Sequence, residues 1–339
     1  MNTYSVSVSL FYSVLKALAL KGCDQEEFFR FAGVDRTLLQ DAEGRIPEEE
    51  FERIVEAAAE FTGDDAFGLL QGQAADLSDL GILGYVLLHS STIGEALRAF
   101  QKYNTVTCSG YNISWETEGE LTGISFLHQN PLKTPSRLCI EDMASSLYHL
   151  MLKLGCRPIR IHGIYFRHAP SGGPEIYNDV FCVQPQFHGD ENKMVISREA
   201  LDYPVVLADQ RLLGMFEQLA QEAMDRLKEG RPFSDELYSW ILKKMPERLP
   251  LLTDCSRAFR VSKRTLQARL KEENTTFNEM LARARKELAT AYLAKPEYQI
   301  GEIAYLLHYS EPSAFQNAFK TWTGTTPGKY RTQRQAEMN

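Results

Sequence analysis

Apolar residues in the first hundred positions recur at intervals of three and four, which predicts helices. The leucines and valines of residues 10–18 share one helical face, and Gly22 follows as a stop signal. Pro47 opens a further helix with apolar positions from Phe51 to Ala58, which Gly63 ends. A glycine-punctuated apolar segment over residues 81–88 precedes another predicted helix, residues 93–103.

The pattern then changes to short apolar runs separated by polar turns. Residues 113–115 and 123–127 flank a polar turn and predict a hairpin. Further strands are predicted at 159–166, 181–183 and 194–196, with a helix over 140–154 before them. Residues 1–205 are therefore expected to form one α+β domain.

One further helix is predicted over residues 209–228. Its apolar positions step by three and four, which we interpret as a stripe facing the core rather than a dimer seam, because two heptads are too few. Gly230, Arg231 and Pro232 then interrupt the pattern. We therefore expect a connecting helix and linker over 206–234 and a separate domain over 235–339.

The domain over 235–339 is predicted to be all-α and internally repeated. Ser234 is expected to cap its first helix, and a short helix follows near residues 251–258. A tight turn and a helix that begins at Ser262 come next, and the same arrangement recurs with a turn at 308–309 and a cap at Ser310. A helix of about 17 residues, about 25 Å at 1.5 Å per residue, joins these two helix-turn-helix units.

The two predicted domains differ in net charge. The chain carries a net charge of −8, but residues 235–339 hold 17 Lys and Arg against 12 Asp and Glu, whereas residues 1–234 hold 20 against 33. A basic C-terminal third indicates a module that faces a polyanion. In each second helix the long polar side chains, Arg264 and Gln267 among them, lie off the buried face. A solvated helix face would explain one such stretch, but its duplication favours DNA recognition.

Other classes of protein lack support in the sequence. No apolar run is long enough to span a membrane, and the N-terminus is a poor secretory signal. The six cysteines are scattered, which predicts reduced thiols in a cytoplasmic protein. No metal-ligand spacing, phosphate-binding loop or nucleophile motif is present, so we expect no cofactor, no metal and no enzyme activity.

Two segments resemble a known family. IAYLLHYSEPSAFQNAFKTWTGTTPGKYR, residues 303–331, and VSKRTLQARLKEENTTF, residues 261–277, resemble the DNA-binding domain of the AraC/XylS family of transcription regulators. Residues 18–205 resemble the N-terminal arabinose-binding-like domain of one subgroup, through GRIPEEEF, YFRHAP and ENKMVIS. That subgroup includes regulators of ornithine and other small-metabolite use.

The resemblance implies a set of DNA-contacting residues. They are Ser262, Lys263, Arg264, Gln267, Ala268 and Lys271 in the first unit, and Ser313, Gln316, Asn317 and Lys320 in the second. Relatives often carry Arg where Ala268 and Asn317 stand, so the base preference is expected to differ. Arg260 and His308 replace the family's turn glycines. Either each turn holds a non-glycine residue at positive φ, which costs about 1 kcal/mol of stability, or the turns have a different backbone conformation from those of the family.

The resemblance also implies partners and regulation. We expect a DNA-binding regulator, an activator by family tendency, that contacts double-stranded promoter DNA and RNA polymerase and responds to a small-molecule effector. The candidate effector-binding residues are Tyr85, His89, Tyr103, Trp115 and Arg167. Ordinary core packing explains each of them as well as effector binding does. A homodimer could form through the N-terminal domain or the 209–228 helix. The alternatives are an effector-independent dimeric regulator and a DNA-targeted enzyme.

Overall fold

Two units, each with its own hydrophobic core, make up the chain. The computed structural model describes residues 4–41, 43–229 and 232–337. One unit comprises residues 4–129 and 135–229, and the other comprises residues 232–337 together with 130–134. Gly230 and Arg231, where the sequence predicts an interruption, lie outside the described residues, and the predicted domain boundaries stay a prediction.

Nine α-helices belong to the described part of the N-terminal unit. Their bounds are Phe11–Leu20 (α1), Gln25–Ala32 (α2), Glu48–Thr62 (α3), Phe67–Ala74 (α4), Ile82–His89 (α5), Ile93–Tyr103 (α6), Arg137–Gly155 (α7), Pro174–Phe181 (α8) and Gln210–Glu229 (α9). Asp24 caps α2 by accepting from the Glu27 N–H, and Thr92 caps α6 in the same way. Gly33 ends α2 at a φ of 63°, a conformation that glycine adopts without a Cβ penalty.

The strands of this unit form two antiparallel sheets. They are Ser5–Ser7 (β1), Arg45–Pro47 (β2), Tyr111–Glu118 (β3), Leu121–His128 (β4), Ile161–Tyr165 (β5) and Lys193–Ser197 (β6). β1 pairs with β2, and the four-stranded sheet has the order β3-β4-β6-β5. Gly119, at a φ of 57°, allows the tight turn of the predicted hairpin between β3 and β4. The predicted α+β class is confirmed.

The predicted strand at Phe181–Val183 is wrong. Phe181 is the last residue of α8, and Cys182 ends that helix in the left-handed conformation at a φ of 56°. Tyr177, Val180 and Phe181 are buried in the core. A run of three apolar residues therefore does not distinguish the end of a helix that packs on the core from a short buried strand.

Helix α7 packs closely against α4. A Cβ on Gly68 would lie 2.3 Å from the Leu138 carbonyl oxygen, and one on Gly72 would lie 2.5 Å from the Ser145 Cβ. The two glycines therefore allow the backbones of α4 and α7 to approach. This contact fixes α7, which with α3 lines a cavity of about 90 Å³ inside the unit.

Helices form all of the regular secondary structure in the described part of the C-terminal unit. Their bounds are Phe233–Lys244 (α10), Leu252–Ala258 (α11), Lys263–Glu272 (α12), Phe277–Ala294 (α13), Ile300–Leu306 (α14), Pro312–Thr323 (α15) and Pro327–Glu337 (α16). α11 and α12 form the first helix-turn-helix unit, and α14 and α15 form the second. α13 joins them, so the predicted all-α class with a duplicated unit is confirmed.

Two predicted helix caps are wrong. Ser234 lies inside α10, which begins one residue earlier, and the Glu273 carboxylate accepts the N–H groups of Phe233 and Ser234 at 2.6 and 2.7 Å. A carboxylate distant in sequence thus replaces the local cap. Ser310 lies outside α15, because Pro312 occupies the first turn and places the N-cap at Glu311.

None of the helices described here combines the length and the apolar composition that crossing a bilayer requires.

Candidate nucleic-acid interface

Helix α12 presents a polar face opposite its buried residues. The Ser262 hydroxyl accepts from the Thr265 N–H at 3.0 Å and fixes the start of the helix. Leu266 and Leu270 are fully buried, which sets the orientation of the remaining residues. At 100° per residue, the side opposite these leucines carries Arg264, Ala268 and Lys271, with Gln267 at its edge and Lys263 in the first turn. All five are exposed.

Helix α15 repeats this arrangement. Phe315 and Phe319 are fully buried and occupy the places of the two leucines. Ser313, Asn317 and Lys320 lie on the opposite side, with Gln316 at the edge, and all four are exposed.

A constant offset of 49 residues relates the two exposed faces. Gln267 corresponds to Gln316, and Lys271 corresponds to Lys320, so two of the four positions carry the same residue. The other two pairs differ: Arg264 corresponds to Ser313, and Ala268 to Asn317. Both faces therefore have the same geometry, but they present different groups to DNA bases.

Helix α13 separates the two recognition helices. It spans 18 residues, or about 27 Å at 1.5 Å per residue. Ala284 and Leu288 on α13 are fully buried in the core that α12 and α15 share. One core therefore holds both recognition helices.

The turns contain non-glycine residues in the left-handed region. Arg260 has a φ of 53° and His308 a φ of 60°. The first of the two alternatives for the missing glycines therefore holds, and each residue costs about 1–2 kcal/mol in backbone strain.

Side chains distant in sequence stabilise the second turn. The His308 Nε2 lies 2.7 Å from the Met245 carbonyl oxygen. The Arg285 Nε donates to the Leu307 carbonyl at 3.0 Å, and its guanidinium lies 4.6 Å from the centre of the Tyr309 ring. Sequence reasoning missed both contributions, since Arg285 has the spacing of an ordinary solvated residue on α13.

Arg331 holds the C-terminal end of α13. Its Nε donates to the Leu293 carbonyl at 3.1 Å, and a terminal nitrogen donates to the Tyr298 carbonyl at 2.8 Å. The Leu293 carbonyl is one that the helix end leaves without an intrahelical partner. Tyr298 lies in the loop between α13 and α14, so the arginine also links this loop to the end of α13. The sequence motif contained Arg331 but did not indicate this role.

Comparison with known proteins identifies the family. The model for the arabinose-binding domain of AraC transcription regulators matches residues 22–205, more than half of the chain, and a helix-turn-helix model matches residues 255–333. The chain belongs to the AraC/XylS family of transcription regulators. This family consists of DNA-binding regulators, so the alternative of a DNA-targeted enzyme is wrong.

The chain is similar to several transcription regulators, two of which match most of its length. The ornithine utilization regulator of Pseudomonas aeruginosa is 28% identical over 326 residues, which is 96% of each protein. The regulator VqsM of the same organism is 25% identical over 276 residues, 78% of this chain and 83% of VqsM. The transcriptional activator CfaD of Escherichia coli is 34% identical over 102 residues, 30% of this chain and 37% of CfaD. The solved structure of CdpR from P. aeruginosa aligns with a TM-score of 0.47 and 22% identity, over 95% of this chain and 97% of CdpR.

Two of the predicted effector residues lie together. Tyr85 stacks on Phe216 of α9 with ring centroids 5.0 Å apart, and His89 stacks on the same ring at 5.5 Å. The His89 Nδ1 also lies 2.9 Å from the Leu207 carbonyl oxygen. These contacts attach α5 to α9, as expected for packing residues.

The other three predicted effector residues lie on other elements of the unit. Tyr103 is buried and its hydroxyl lies 2.6 Å from the Lys102 Nζ. Trp115 is half-buried on β3, and Arg167 is exposed after β5. None of the five residues lines the cavity between α3 and α7 in the same unit. Their role in effector binding stays a prediction.

Proposed function

We propose that this AraC/XylS regulator binds about two turns of promoter DNA with both helix-turn-helix units of one chain. The matched exposed faces of α12 and α15 carry this proposal, together with the helix α13, about 27 Å long, that joins their units. Successive major grooves on one face of B-DNA are about 34 Å apart, which the length of α13 and the width of the units can accommodate. One chain then contacts a site that most helix-turn-helix proteins contact as dimers.

The side chains indicate which bases each unit prefers. Arg264 has the geometry for the O6 and N7 atoms of guanine, and the Ala268 methyl suits the thymine methyl. In the second unit Gln316 and Asn317 both suit adenine, which predicts a half-site richer in A·T pairs. Lys271 and its counterpart Lys320 contact phosphates.

Ser262, Lys263, Gln267 and Ser313 complete the interface. Gln267 repeats the adenine preference of Gln316, because the two occupy equivalent positions. Ser313 donates from the start of α15 to a base or a phosphate, and Ser262 and Lys263 place the N-terminus of α12 near the phosphate backbone.

The N-terminal unit is the proposed regulatory part of the chain. We propose that it binds a small effector in the cytoplasm and that the bound effector favours one of two states of the regulator. The name of the ornithine utilization regulator supports a metabolite as the effector, and the name of CfaD, a transcriptional activator, supports activation. We propose RNA polymerase as the partner that an activator contacts. The name of the ornithine utilization regulator also favours an effector-controlled regulator, which acts as a monomer or a homodimer, over an effector-independent one.

The first experiment is genome-wide DNA occupancy of the tagged chain in its host. We expect a few sharp peaks beside one or two operons, whose sequences then provide the fragment for binding assays. Arg264→Ala and Gln316→Ala should each weaken binding to that fragment by about 1–3 kcal/mol.

The matched control for Gln316→Ala is Gln333→Ala, the same change at an exposed position of α16. The control should bind as the wild type does. Lys320→Ala should weaken binding to all sequences alike. It should also reduce the slope of log affinity against log salt concentration by about one, as expected for the loss of one phosphate contact. If both Arg264→Ala and Gln316→Ala retain wild-type affinity and sequence preference, the assignment of the interface is wrong.

A further inference from the structure

Net charge differs between the two helix-turn-helix units. Residues 252–272, which contain α11 and α12, hold six Lys or Arg and two Asp or Glu. Residues 300–323, which contain α14 and α15, hold one Lys and two Glu. The first unit therefore carries a net charge of +4 and the second a net charge of −1, with histidine neutral. Because Lys and Arg supply the affinity for DNA phosphates, two units of the same fold should bind phosphates unequally.

The exposed faces of the two recognition helices show the same difference. At the offset of 49 residues, three cationic positions of α12 have a single cationic counterpart on α15. All three positions are exposed in α12. The pairs are Lys263 and Pro312, Arg264 and Ser313, and Lys271 and Lys320.

The residues at the start of the two helices differ in charge as well. Ser262 and Glu311 occupy the equivalent N-cap positions of α12 and α15. The Ser262 hydroxyl accepts from the Thr265 N–H, whereas the Glu311 side chain makes no capping hydrogen bond to α15. The Glu311 Oε2 accepts from the Ser313 hydroxyl at 3.2 Å, and the side chain is exposed. Within the described part of the chain, Glu311 forms no ion pair.

A carboxylate at the start of α15 opposes the binding of DNA. The first residues of a recognition helix approach base edges and the neighbouring phosphates when the helix enters the major groove. The start of α12 brings a neutral hydroxyl and the Lys263 ammonium group to this region, and the start of α15 brings a carboxylate and Pro312. Two like charges about 7 Å apart in water repel each other enough to weaken binding about threefold.

We propose that the first unit supplies most of the sequence-independent affinity for DNA and that Glu311 reduces the affinity of the second unit for phosphates. The second unit then docks mainly through the base contacts of Gln316 and Asn317, and Lys320 makes its phosphate contact against the repulsion of Glu311. Such an interface holds DNA of any sequence through one unit and depends on the bases through the other. This inference rests on the proposed use of both units by one chain.

A salt titration with random-sequence DNA tests the role of Glu311. The probe is a fluorescent duplex of about 30 base pairs, or three turns, and fluorescence anisotropy measures its affinity for the full-length chain between about 50 and 200 mM KCl. Glu311→Gln keeps the size of the side chain and removes its charge, so it should bind the duplex about threefold more tightly at about 50 mM KCl. The gain should be smaller at about 200 mM KCl, because salt screens the repulsion.

Two further variants separate the charge of Glu311 from other effects. Glu297→Gln makes the same change at an exposed position between α13 and α14, outside both units, and should leave the affinity unchanged. Glu311→Ser introduces the N-cap residue of the first unit and should reproduce the gain of Glu311→Gln. A purely structural role of Glu311 predicts the opposite sign, because a weakened start of α15 would lower the affinity. Unchanged or weaker binding by Glu311→Gln, or an equal gain in Glu297→Gln, would overturn the inference.

Lysine replacements compare the two units on the same duplex. The double variant Lys263→Gln, Lys271→Gln should flatten the slope of log affinity against log salt concentration by about 1.8, since each phosphate contact contributes about 0.9. Lys320→Gln should flatten this slope by about 0.9. A flattening by Lys320→Gln as large as that of the double variant would contradict the unequal division between the units.

Binding to the fragment from the occupancy experiment separates this inference from the proposed function. Selective binding of that fragment by the wild type, with no gain in Glu311→Gln on the random duplex, refutes the inference and leaves the two-unit interface intact. No selective binding by the wild type refutes the proposed function together with the inference.

Discussion

Replacement of Arg260 by glycine should stabilise the DNA-binding unit. Arg260 has a φ of 53°, and its side chain is exposed. The left-handed conformation costs an L-residue about 1–2 kcal/mol, whereas glycine loses about 0.5–1 kcal/mol more backbone entropy on folding. The difference predicts a net gain of about 1 kcal/mol in the free energy of unfolding.

Two matched variants separate backbone strain from side-chain effects. Arg260→Ala removes the same guanidinium but keeps the Cβ, so it should leave the stability close to that of the wild type. His308→Gly relieves the same strain at the second turn, where φ is 60°, but loses the hydrogen bond to the Met245 carbonyl. The two effects nearly cancel, since a hydrogen bond contributes about 1 kcal/mol.

Urea unfolding followed by tryptophan fluorescence measures these changes. Trp240 and Trp322 belong to the C-terminal unit, so a Trp115→Phe background restricts the signal to that unit. With a denaturant slope of about 2 kcal/mol per M, Arg260→Gly should raise the midpoint by about 0.5 M without changing the slope. An equal gain in Arg260→Ala, or no gain in Arg260→Gly, would refute the argument from backbone strain.

Three other variants test contacts elsewhere in the two units. Arg331→Ala should destabilise the C-terminal unit by about 2 kcal/mol in the same assay, because two carbonyl groups lose a charged donor. Burial raises the pKa of Glu273, but hydrogen bonds from Ser234 and Phe233 outweigh it and leave the pKa below its ordinary value. The stabilisation is therefore lost as pH falls, and the stability of Glu273→Gln should change less between about pH 6 and pH 3. Burial raises the pKa of Asp142 to about 7, so the folded state loses stability as pH rises from about 4 to 7. Asp142→Asn should therefore stabilise the N-terminal unit at about pH 8 and change little at about pH 4, as followed by Trp115 fluorescence in a background with Trp240→Phe and Trp322→Phe.

The sequence predicted the DNA-binding unit in most of its detail. Leu266 and Leu270, and their counterparts Phe315 and Phe319, lie four residues apart on strongly polar helices, so the buried face and the exposed face were both evident. Duplication of the pattern supplied a second, independent indication of DNA recognition. The errors lay at helix ends, where Glu273 caps α10 from 40 residues away and no local pattern shows it.

The cavity was not predictable in the same way. The lining of the cavity between α3 and α7 comes from segments between residues 6 and 150; of its carboxylates, Glu48 and Glu52 lie on α3 and Asp142 lies on α7. Glu52 and Asp142 each occupy a position on an amphipathic helix that is typical of a solvated residue. Only the packing of α3 and α7 brings them together. Single aromatic residues such as Tyr85 and Tyr103 carried no comparable information, because core packing uses the same residue types.

Selection of binding sites from a random DNA pool tests the central claim most directly. The wild-type chain should enrich two sequence blocks whose centres lie about 10 base pairs apart. Arg264→Ala should relax the preference in one block, and Gln316→Ala should relax it in the other. A single enriched block, or a variant that alters both blocks equally, would contradict the claim that one chain uses both helix-turn-helix units to contact successive major grooves.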